Sequence, residues 1–346
     1  MAEFHLEFEK PIIEIKKQIQ GLIELSSSNP DIDIADTISA LERKLDSTLK
    51  EIYSKLTAWQ RVQLARHPER PYTLDYINLM CSDFVELHGD RRFSDDKAVV
   101  GGFARLDGRK VMVIGTQKGR DMKSNVMRNF GWPHPEGYRK ATRLMKMAEL
   151  AQVPIITFID TPGAFPGIAS EERHIGEAIA VSMRDMFTLT VPVIAVIIGE
   201  GGSGGAIGIG VGNRILILEN AYYSVITPEG CAAILWKDRR FAPQAAEALN
   251  LTAQKLLELG IADAIVPEPL GGAHCDSDKM AGTLKEALIR QLDELGTCSA
   301  DELRNQRYEK FRAMGRFAEP EAETDEPETN EAADEQLDSA DCPAGN

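Results

Sequence analysis

The first part of the chain carries apolar residues at the spacing of amphipathic helices. Isoleucine and leucine recur every three or four positions, first at Ile12, Ile15, Ile19, Leu22 and Ile23, then at Leu41, Leu45, Leu49, Ile52 and Leu56. Residues three and four apart share one side of a helix, so two helices are predicted. The segment Arg66–Pro71 ends the second, because proline cannot continue a helix. Such helices serve either internal packing or a subunit interface, and the pattern leaves both open.

Beyond Pro71 short apolar runs alternate with helical segments. Strands are predicted at Val99–Leu106, Val111–Gly115, Pro154–Asp160, Val193–Ile198, Arg214–Leu218, Tyr222–Ile226 and Ala264–Pro267. Helices are predicted at Tyr138–Leu150, Glu171–Leu189, Pro228–Leu235, Gln244–Asn250, Thr252–Leu259 and Asp278–Leu295. The pair Asp107-Gly108 joins the first two strands into a hairpin. Apolar strands between helices indicate an α/β fold with both faces of the sheet covered.

The charge is concentrated at the end of the chain. The formal net charge is −15, but the 29 residues from Ala318 to Asn346 hold 11 acids and no lysine or arginine. The remaining body therefore carries −15 + 11 = −4, which gives no basic face for nucleic acid. The tail has almost no large apolar residues, and such a composition is typical of disorder. We expect four parts: a helical extension at 1–38, the main domain at 39–295, a short segment at 296–317 and a disordered acidic tail at 318–346.

Cysteine content and hydropathy indicate a cytoplasmic protein. The 5 cysteines are far apart and form no Cys-x-x-Cys pair, which argues against a disulfide framework and against a metal site in this chain. No apolar run reaches the roughly 18 residues that span a bilayer. The first residues contain acids and lack the pattern of a signal peptide.

The strongest chemical signal is the glycine-rich turn Gly199–Gly212, which follows an apolar strand. Glycine lets a backbone approach a ligand closely, and free N–H groups at a helix start favour negative charge. Phosphate binding, oxyanion stabilisation and close packing all fit. A dinucleotide fingerprint is excluded by length: the stretch between Gly205 and Arg214 is shorter than the about 10–12 residues that a parallel crossover needs. The P-loop pattern is also absent.

A second loop, Asp160–Gly167, also follows an apolar strand and precedes a helix. Proline and glycine make it rigid, and it can present backbone N–H groups from Gly163, Ala164 or Phe165. Oxyanion sites often take donors from two loops, each worth about 10²–10³ in rate. The two loops together therefore predict a backbone oxyanion site.

Several side chains carry alternative interpretations. Ser203 could be a nucleophile only with a histidine and an acid nearby, for which His174 and Glu171 or Glu172 are candidates. The basic residues either form solvated surface or bind phosphates, a carboxylate or a partner protein; they are Lys118, Arg120, Lys123, Arg128, Arg139 and Lys140. His88 and His134 are assigned no catalytic role.

The motifs resemble one family along nearly the whole chain. The segments Leu87–Arg92, Asp160–Gly167 and Gly199–Ala206 are similar to the alpha subunit of the multi-subunit acetyl-coenzyme A carboxylase carboxyltransferase. Tyr223–Gly230 and Pro267–His274 agree with it as well. The resemblance runs to about Met314, so only the acidic tail lies outside the pattern.

The resemblance implies a crotonase-like fold of repeated ββα units and a carboxyl transfer from carboxybiotin to acetyl-CoA, giving malonyl-CoA for fatty acid synthesis. It also implies an α₂β₂ heterotetramer with a beta subunit that carries a zinc ribbon. Biotin would arrive on a separate carrier protein, and a separate biotin carboxylase would consume ATP. The alpha half would supply the oxyanion site that faces the ureido oxygen of biotin.

Carried onto this sequence, the resemblance places the oxyanion donors at Gly204, Gly205 or Ala206 and at Gly163 or Ala164. The residues assigned to substrate binding are Phe165, Gly201, Gly202, Lys118, Arg120 and Arg128. The alternatives are another crotonase-type enzyme, a hydratase or isomerase with Glu200 as acid and base, or a propionyl-CoA carboxyltransferase subunit. A non-catalytic binding protein would leave the two donor loops without a use.

Overall fold

The buried strands and the helices between them follow from the alternation of apolar runs in the sequence. The computed structural model describes residues 4–28 and 35–315, so the tail expected at 318–346 lies outside the described residues. The strands are β1 (Cys81–Glu86), β2 (Val99–Leu106), β3 (Arg109–Thr116), β4 (Ile155–Thr161), β5 (Val193–Gly202), β6 (Arg214–Leu218), β7 (Tyr222–Ser224) and β8 (Ala264–Val266).

Fourteen α-helices surround these strands within the described residues. The first seven are α1 (Lys10–Ser28), α2 (Ala35–Ser54), α3 (Ala58–Ala65), α4 (Thr73–Met80), α5 (Met122–Met127), α6 (Pro135–Leu150) and α7 (Ile168–Glu171). The others are α8 (Ile175–Thr188), α9 (Ser203–Ile207), α10 (Pro228–Leu235), α11 (Ala242–Ala248), α12 (Ala253–Glu258), α13 (Ser277–Leu295) and α14 (Ala300–Ala313).

The strands form one mixed sheet in the order β1-β2-β3-β4-β5-β6-β8, and β7 pairs with the far end of β5. The first three strands are antiparallel, and those from β3 onward are parallel. Every residue of β4 and β5 is buried, so both faces of the sheet are covered in the middle. The helices α6 and α8 pack on each other, and α4 packs on α13. The parallel arrangement brings the carboxyl ends of β4 and β5 to one edge.

Some elements differ from the sequence prediction. The helix predicted at Glu171–Leu189 is interrupted, because His174 has a φ of 62° and separates α7 from α8. The second predicted helix ends at Ser54, and α3 is a separate helix. The elements that the sequence did not reveal are the strand β1 and the helices α4, α5 and α14. The expected boundary between residues 38 and 39 falls inside α2.

The strand before the glycine turn is longer than predicted. It continues through Glu200 to Gly202, where Gly201 pairs with Thr161 of β4 and with Tyr223 of β7. A side chain on Gly201 would meet the Tyr222 carbonyl oxygen at 2.9 Å. The glycines therefore allow backbones to approach on both sides, and the first part of the predicted turn is strand.

The C-terminal helix α14 is tied to the body by a buried arginine. The Arg307 guanidinium donates to the backbone carbonyls of Met186, Leu189 and Val191 and to the Asn213 side chain, over 2.6–3.2 Å. Burial lowers the pKa of the Arg307 guanidinium to about 10. The segment 296–317, which the sequence predicted only as a short extension, thus contains a helix that packs against the carboxyl end of α8.

Within the part of the chain that the structure describes, no helix has the length and apolar character needed to cross a membrane.

Candidate functional site

The two glycine-bearing loops are in direct backbone contact at the carboxyl ends of β4 and β5. A Cβ atom on Gly202 would lie 2.1 Å from the Pro162 carbonyl oxygen. A Cβ atom on Gly205 would lie 2.4 Å from the Gly163 carbonyl carbon and 2.8 Å from the Ala164 nitrogen. These distances are far below van der Waals contact, so only glycine fits at both positions. The structure thus brings together the two loops that the sequence analysis paired.

Helix α9 presents its first N–H groups at this contact. The N–H groups of Ser203, Gly204 and Gly205 lie in the first turn, where a helix has no acceptor four residues back. Within residues 4–28 and 35–315 these three N–H groups donate to no loop carbonyl and to no side chain. Gly204 is half-buried and Gly205 is buried. Ala206 is fully buried and is the fourth residue of α9. From the fourth residue onward the N–H groups of an α-helix point to a carbonyl four residues back, which for Ala206 is that of Gly202.

In the second loop two of the three candidate N–H groups are already bound. The Gly163 N–H donates to Thr161 Oγ1 at 3.1 Å, and the Phe165 N–H donates to the Pro133 carbonyl at 2.9 Å. The Ala164 N–H has no acceptor among the residues that the structure describes, and Ala164 is half-buried. Of these three candidate N–H groups, that of Ala164 is therefore the available one.

A buried charge network lies directly behind the two loops. The Lys118 ammonium donates to Asp160 Oδ1 at 2.6 Å and to Glu200 Oε2 at 2.7 Å. On its other oxygen, Glu200 accepts from Arg66 Nε at 2.7 Å and from the Tyr222 hydroxyl at 2.8 Å. Sequence analysis missed this network, although Asp160 and Glu200 each end an apolar strand, which was a usable signal.

The network keeps its members charged. Burial alone would raise the pKa of Glu200, but the charges of Lys118 and Arg66 outweigh it and lower this pKa to about 2. Burial would likewise lower the pKa of the Lys118 ammonium, and the carboxylates of Asp160 and Glu200 reverse the effect and raise it. Near neutral pH Glu200 and Lys118 are therefore both ionised, and the protein itself supplies their hydrogen-bond partners.

The predicted basic stretch divides into internal and external residues. Lys118 belongs to the buried network, Lys140 donates to Asp95 at 2.6 Å, and Arg139 pairs with Asp90 at 3.0 Å. These three cations are held by carboxylates of the chain itself. The first interpretation, a stretch of solvated surface, is thus wrong for these three.

Arg120 and Arg128 lie nearer the solvent. Arg120 stacks over the Tyr72 ring at 4.0 Å and pairs with Asp75. Arg128 is half-buried and donates to the Lys97 carbonyl at 2.8 Å. Neither guanidinium has a buried carboxylate partner, so each keeps donors for a ligand.

The remaining candidates are packed into the same region. The Phe165 ring meets the His134 ring edge-on at 4.8 Å, and His134 Nδ1 lies 3.0 Å from the Ser170 hydroxyl. In the described part of the chain no histidine hydrogen-bonds to Ser203, so the arrangement of a serine nucleophile with its base is not formed. The described residues also contain no group of three or more His, Cys, Asp or Glu side chains suited to a metal ion.

Solved structures share this fold. Transcarboxylase 12S, with methylmalonyl-coenzyme A and methylmalonic acid bound, aligns at a TM-score of 0.54 and 18% identity, over 67% of this chain and 44% of that one. This chain therefore spans less than half of the transcarboxylase chain. A Pseudomonas malonate decarboxylase hetero-tetramer in complex with coenzyme A aligns at a TM-score of 0.55 and 16% identity, over 68% and 91% of the two chains. The predicted crotonase-like α/β class is confirmed.

Sequence relatives specify the family. The profile of the acetyl co-enzyme A carboxylase carboxyltransferase-like family matches residues 5–315. The acetyl-coenzyme A carboxylase carboxyl transferase subunit alpha of Geobacter metallireducens is 57% identical over 318 residues, covering 92% of this chain and 99% of the relative. That of Thermus thermophilus is 56% identical over 315 residues, covering 91% and 99%. The chain belongs to the acetyl co-enzyme A carboxylase carboxyltransferase family, as the motifs predicted.

Proposed function

We propose that this chain is the alpha half of a carboxyltransferase that moves a carboxyl group from carboxybiotin to acetyl-CoA, forming malonyl-CoA. Family membership over residues 5–315 supports the activity. The observation that carries the site is the contact between the two glycine loops, where the N–H groups of Gly204 and Ala164 have no loop or side-chain acceptor among the described residues. The described chain thus holds a place at which an oxygen could receive two donors.

The donors suit the charge that develops in this reaction. When carboxybiotin is bound, it supplies the carboxyl group and a ureido oxygen that becomes more negative as that group leaves. Fixed N–H groups stabilise such an oxygen without reorganising during the reaction. We assign Gly204 and Ala164 as the primary donors, with Gly205 beside them. Gly163 and Ala206 support the turns in which these donors lie. The Gly163 N–H is bound to Thr161, and Ala206 lies buried in the interior of α9.

The competing hydratase or isomerase needs a glutamate that exchanges protons near neutral pH. Glu200 is the candidate in the glycine turn, but Lys118, Arg66 and Tyr222 bind its oxygens and its pKa lies at about 2. A carboxylate so held is neither an acid nor an effective base at pH 7. The buried pairing of Glu200 therefore favours carboxyl transfer.

The partners follow from the proposed reaction. We propose a beta subunit with a zinc ribbon as the second half of the active site, in an α₂β₂ assembly. A separate carrier protein would present biotin, a separate biotin carboxylase would consume ATP, and the complex would act in the cytoplasm in fatty acid synthesis. Phe165, Gly201, Gly202, Arg120 and Arg128 remain the proposed substrate-binding set. Lys118, predicted with them, supports the site from behind the loops without binding the substrate itself.

Reconstitution tests the function directly. We expect the purified chain to form malonyl-CoA from acetyl-CoA and carboxybiotin, or to run the reverse reaction, only after mixing with the beta subunit. The measurement is coupled detection of malonyl-CoA with each subunit alone as control. Activity of this chain alone on an enoyl-CoA would support a hydratase instead. An inactive mixture of two correctly assembled subunits would overturn the proposal.

Arg128 provides a test of CoA binding. We expect Arg128→Ala to raise the KM for acetyl-CoA by about 10-fold, the effect of losing one charge-assisted hydrogen bond of about 1.4 kcal/mol. The increase should shrink as salt is raised, because salt screens exposed charges. Arg290→Ala removes an exposed arginine of α13 and serves as the matched control. An unchanged KM in Arg128→Ala would remove this residue from the binding set.

A further inference from the structure

A single buried ammonium joins the two donor loops at their bases. Asp160 lies near the carboxyl end of β4, before Ala164, and Glu200 lies near the carboxyl end of β5, before Gly204. Lys118 Nζ bonds both carboxylates, at 2.6 and 2.7 Å. A further bond runs between the loops themselves, since the Glu200 N–H donates to Asp160 Oδ1 at 2.9 Å.

The surrounding backbone leaves room for these side chains. A Cβ atom on Gly199 would lie 2.5 Å from Asp160 Oδ1, and one on Gly131 would lie 2.6 Å from Lys118 Cγ. The three side chains expose only 12%, 2% and 7% of their surface for Lys118, Asp160 and Glu200. Because glycine has no side chain, Gly199 and Gly131 leave space for the charged side chains of Asp160 and Lys118.

We propose that Lys118 is a positioning residue, which holds the Asp160 loop and the Glu200 strand end at the spacing that the two oxyanion donors require. This inference rests on the proposed function. Lys118 itself touches no reacting atom. Two carboxylates that share one ammonium are drawn together, and without it two buried negative charges would repel across the gap between the loops.

Removing the ammonium should make the site sensitive to pH. In Lys118→Met, burial and the neighbouring Asp160 charge would both raise the pKa of Glu200, because each disfavours its ionised form. Below that raised pKa the protonated Glu200 can donate to Asp160 and keep the loops together. Above it both groups are charged and the loops separate.

Other groups face the cluster and remain in the variant. They are Arg66 at the end of α3, Arg70, Tyr72 and Tyr76 around the start of α4, Tyr222 of β7 and Glu229 of α10. Arg66 divides its guanidinium between Glu200 and Glu229. It therefore compensates only part of the charge that Lys118 neutralises.

The test uses the chain assembled with its beta subunit and compares kcat and KM from pH 6 to pH 9. In Lys118→Met we expect kcat to fall by about 10²-fold at high pH, the scale of one misplaced donor, and to recover as pH is lowered. Each KM should change less than about 3-fold, a difference below 1 kcal/mol. Lys118→Met/Glu200→Gln removes the second charge and should restore most of kcat with a flat pH profile.

Hydrogen exchange gives a readout that does not depend on turnover. Peptides covering 160–167 and 199–207 should exchange faster in Lys118→Met and return toward the wild-type rate in the double variant. Lys140→Met is the matched control, because it removes another buried lysine that pairs with Asp95 and contacts neither loop. It should lower stability without changing the pH profile of kcat.

The outcomes separate the inference from the proposed function. An inactive wild-type complex contradicts the function. An active wild type whose Lys118→Met variant keeps the wild-type pH profile, or whose double variant is no better than the single one, overturns the role of Lys118. Equal hydrogen-exchange rates of the two loop peptides in wild type and Lys118→Met would overturn the role of Lys118 as well.

Discussion

Replacement of Gly205 by valine is expected to lower kcat by about 10²–10³-fold, the effect of losing one oxyanion donor. The added Cβ would lie 2.4 Å from the Gly163 carbonyl carbon and 2.8 Å from the Ala164 nitrogen. Both are backbone atoms, so no side chain can turn away to make space. The two loops must therefore move apart, and the N–H groups of Gly204 and Ala164 can then no longer both donate to one oxygen atom of the substrate.

The loss should appear in turnover and not in assembly. Co-purification with the beta subunit and a thermal melt would show that the variant folds, and kcat would then be measured on the assembled complex. Gly282→Val is the matched control, since a Cβ at this exposed position of α13 has no heavy atom within 4 Å among the described residues. A Gly205→Val complex with near-normal turnover would show that the loop contact is not the oxyanion site.

Removal of Arg70 should destabilise the fold by about 3–5 kcal/mol, the usual cost of leaving a buried charge without its partner. The Arg70 guanidinium binds both oxygens of Glu268, at 2.5 and 2.9 Å, and its Nε donates to the Ile198 carbonyl. Side-chain exposure is 1% for Arg70 and 0% for Glu268. In Arg70→Met the carboxylate would stay buried with donors from Asn220 and Ala273 but without a neighbouring cation.

The pH dependence should change sign. Burial would raise the pKa of Glu268, but Arg70 outweighs it and lowers this pKa in the native protein, so the pair stabilises above the ordinary glutamate pKa of about 4.3 and loses that contribution in acid. In Arg70→Met the neighbouring cation is gone, so burial, opposed only by the hydrogen bonds that remain, raises the pKa of Glu268. The folded variant then holds its proton longer than the unfolded chain, so its stability falls as pH rises through that range.

Denaturant unfolding at several pH values would measure both effects. Arg70→Met/Glu268→Gln should be more stable than Arg70→Met alone, because the uncompensated charge is gone. Lys50→Met breaks an exposed pair with Asp46 and should cost less than about 0.5 kcal/mol. Equal stabilities of the single and double Arg70 variants would contradict the account.

Local patterns in the sequence predicted much of the fold. The continuous apolar runs of β4 and β5 were visible because strands buried on both faces need no polar residues. The hairpin between β2 and β3 was visible because Asp107 and Gly108 both take positive φ, at 50° and 78°, which this residue pair tolerates best. By contrast, β1 carries a polar sequence at the sheet edge, where its pairing with β2 outweighs the composition of Cys81–Glu86.

Long-range contacts decided the rest of the candidate site. Lys118, Asp160 and Glu200 are separated by about forty residues each, and only the parallel pairing of β3, β4 and β5 places them together. From the sequence Lys118 was either part of a solvated basic surface or a substrate-binding residue. Lys118 meets Asp160 and Glu200 only because the carboxyl ends of β3, β4 and β5 lie at one edge of the sheet.

The sequence by itself determined that two glycine-bearing loops follow buried strands, and this was enough to predict a backbone oxyanion site of the family's kind. It could not determine which N–H groups are available, because hydrogen-bond acceptors come from distant parts of the chain. The tertiary structure shows Gly163 bound to Thr161 and Phe165 bound to Pro133. Gly204 and Ala164 are left as the proposed donors, since a backbone N–H can serve a ligand only where folding has given it no internal partner.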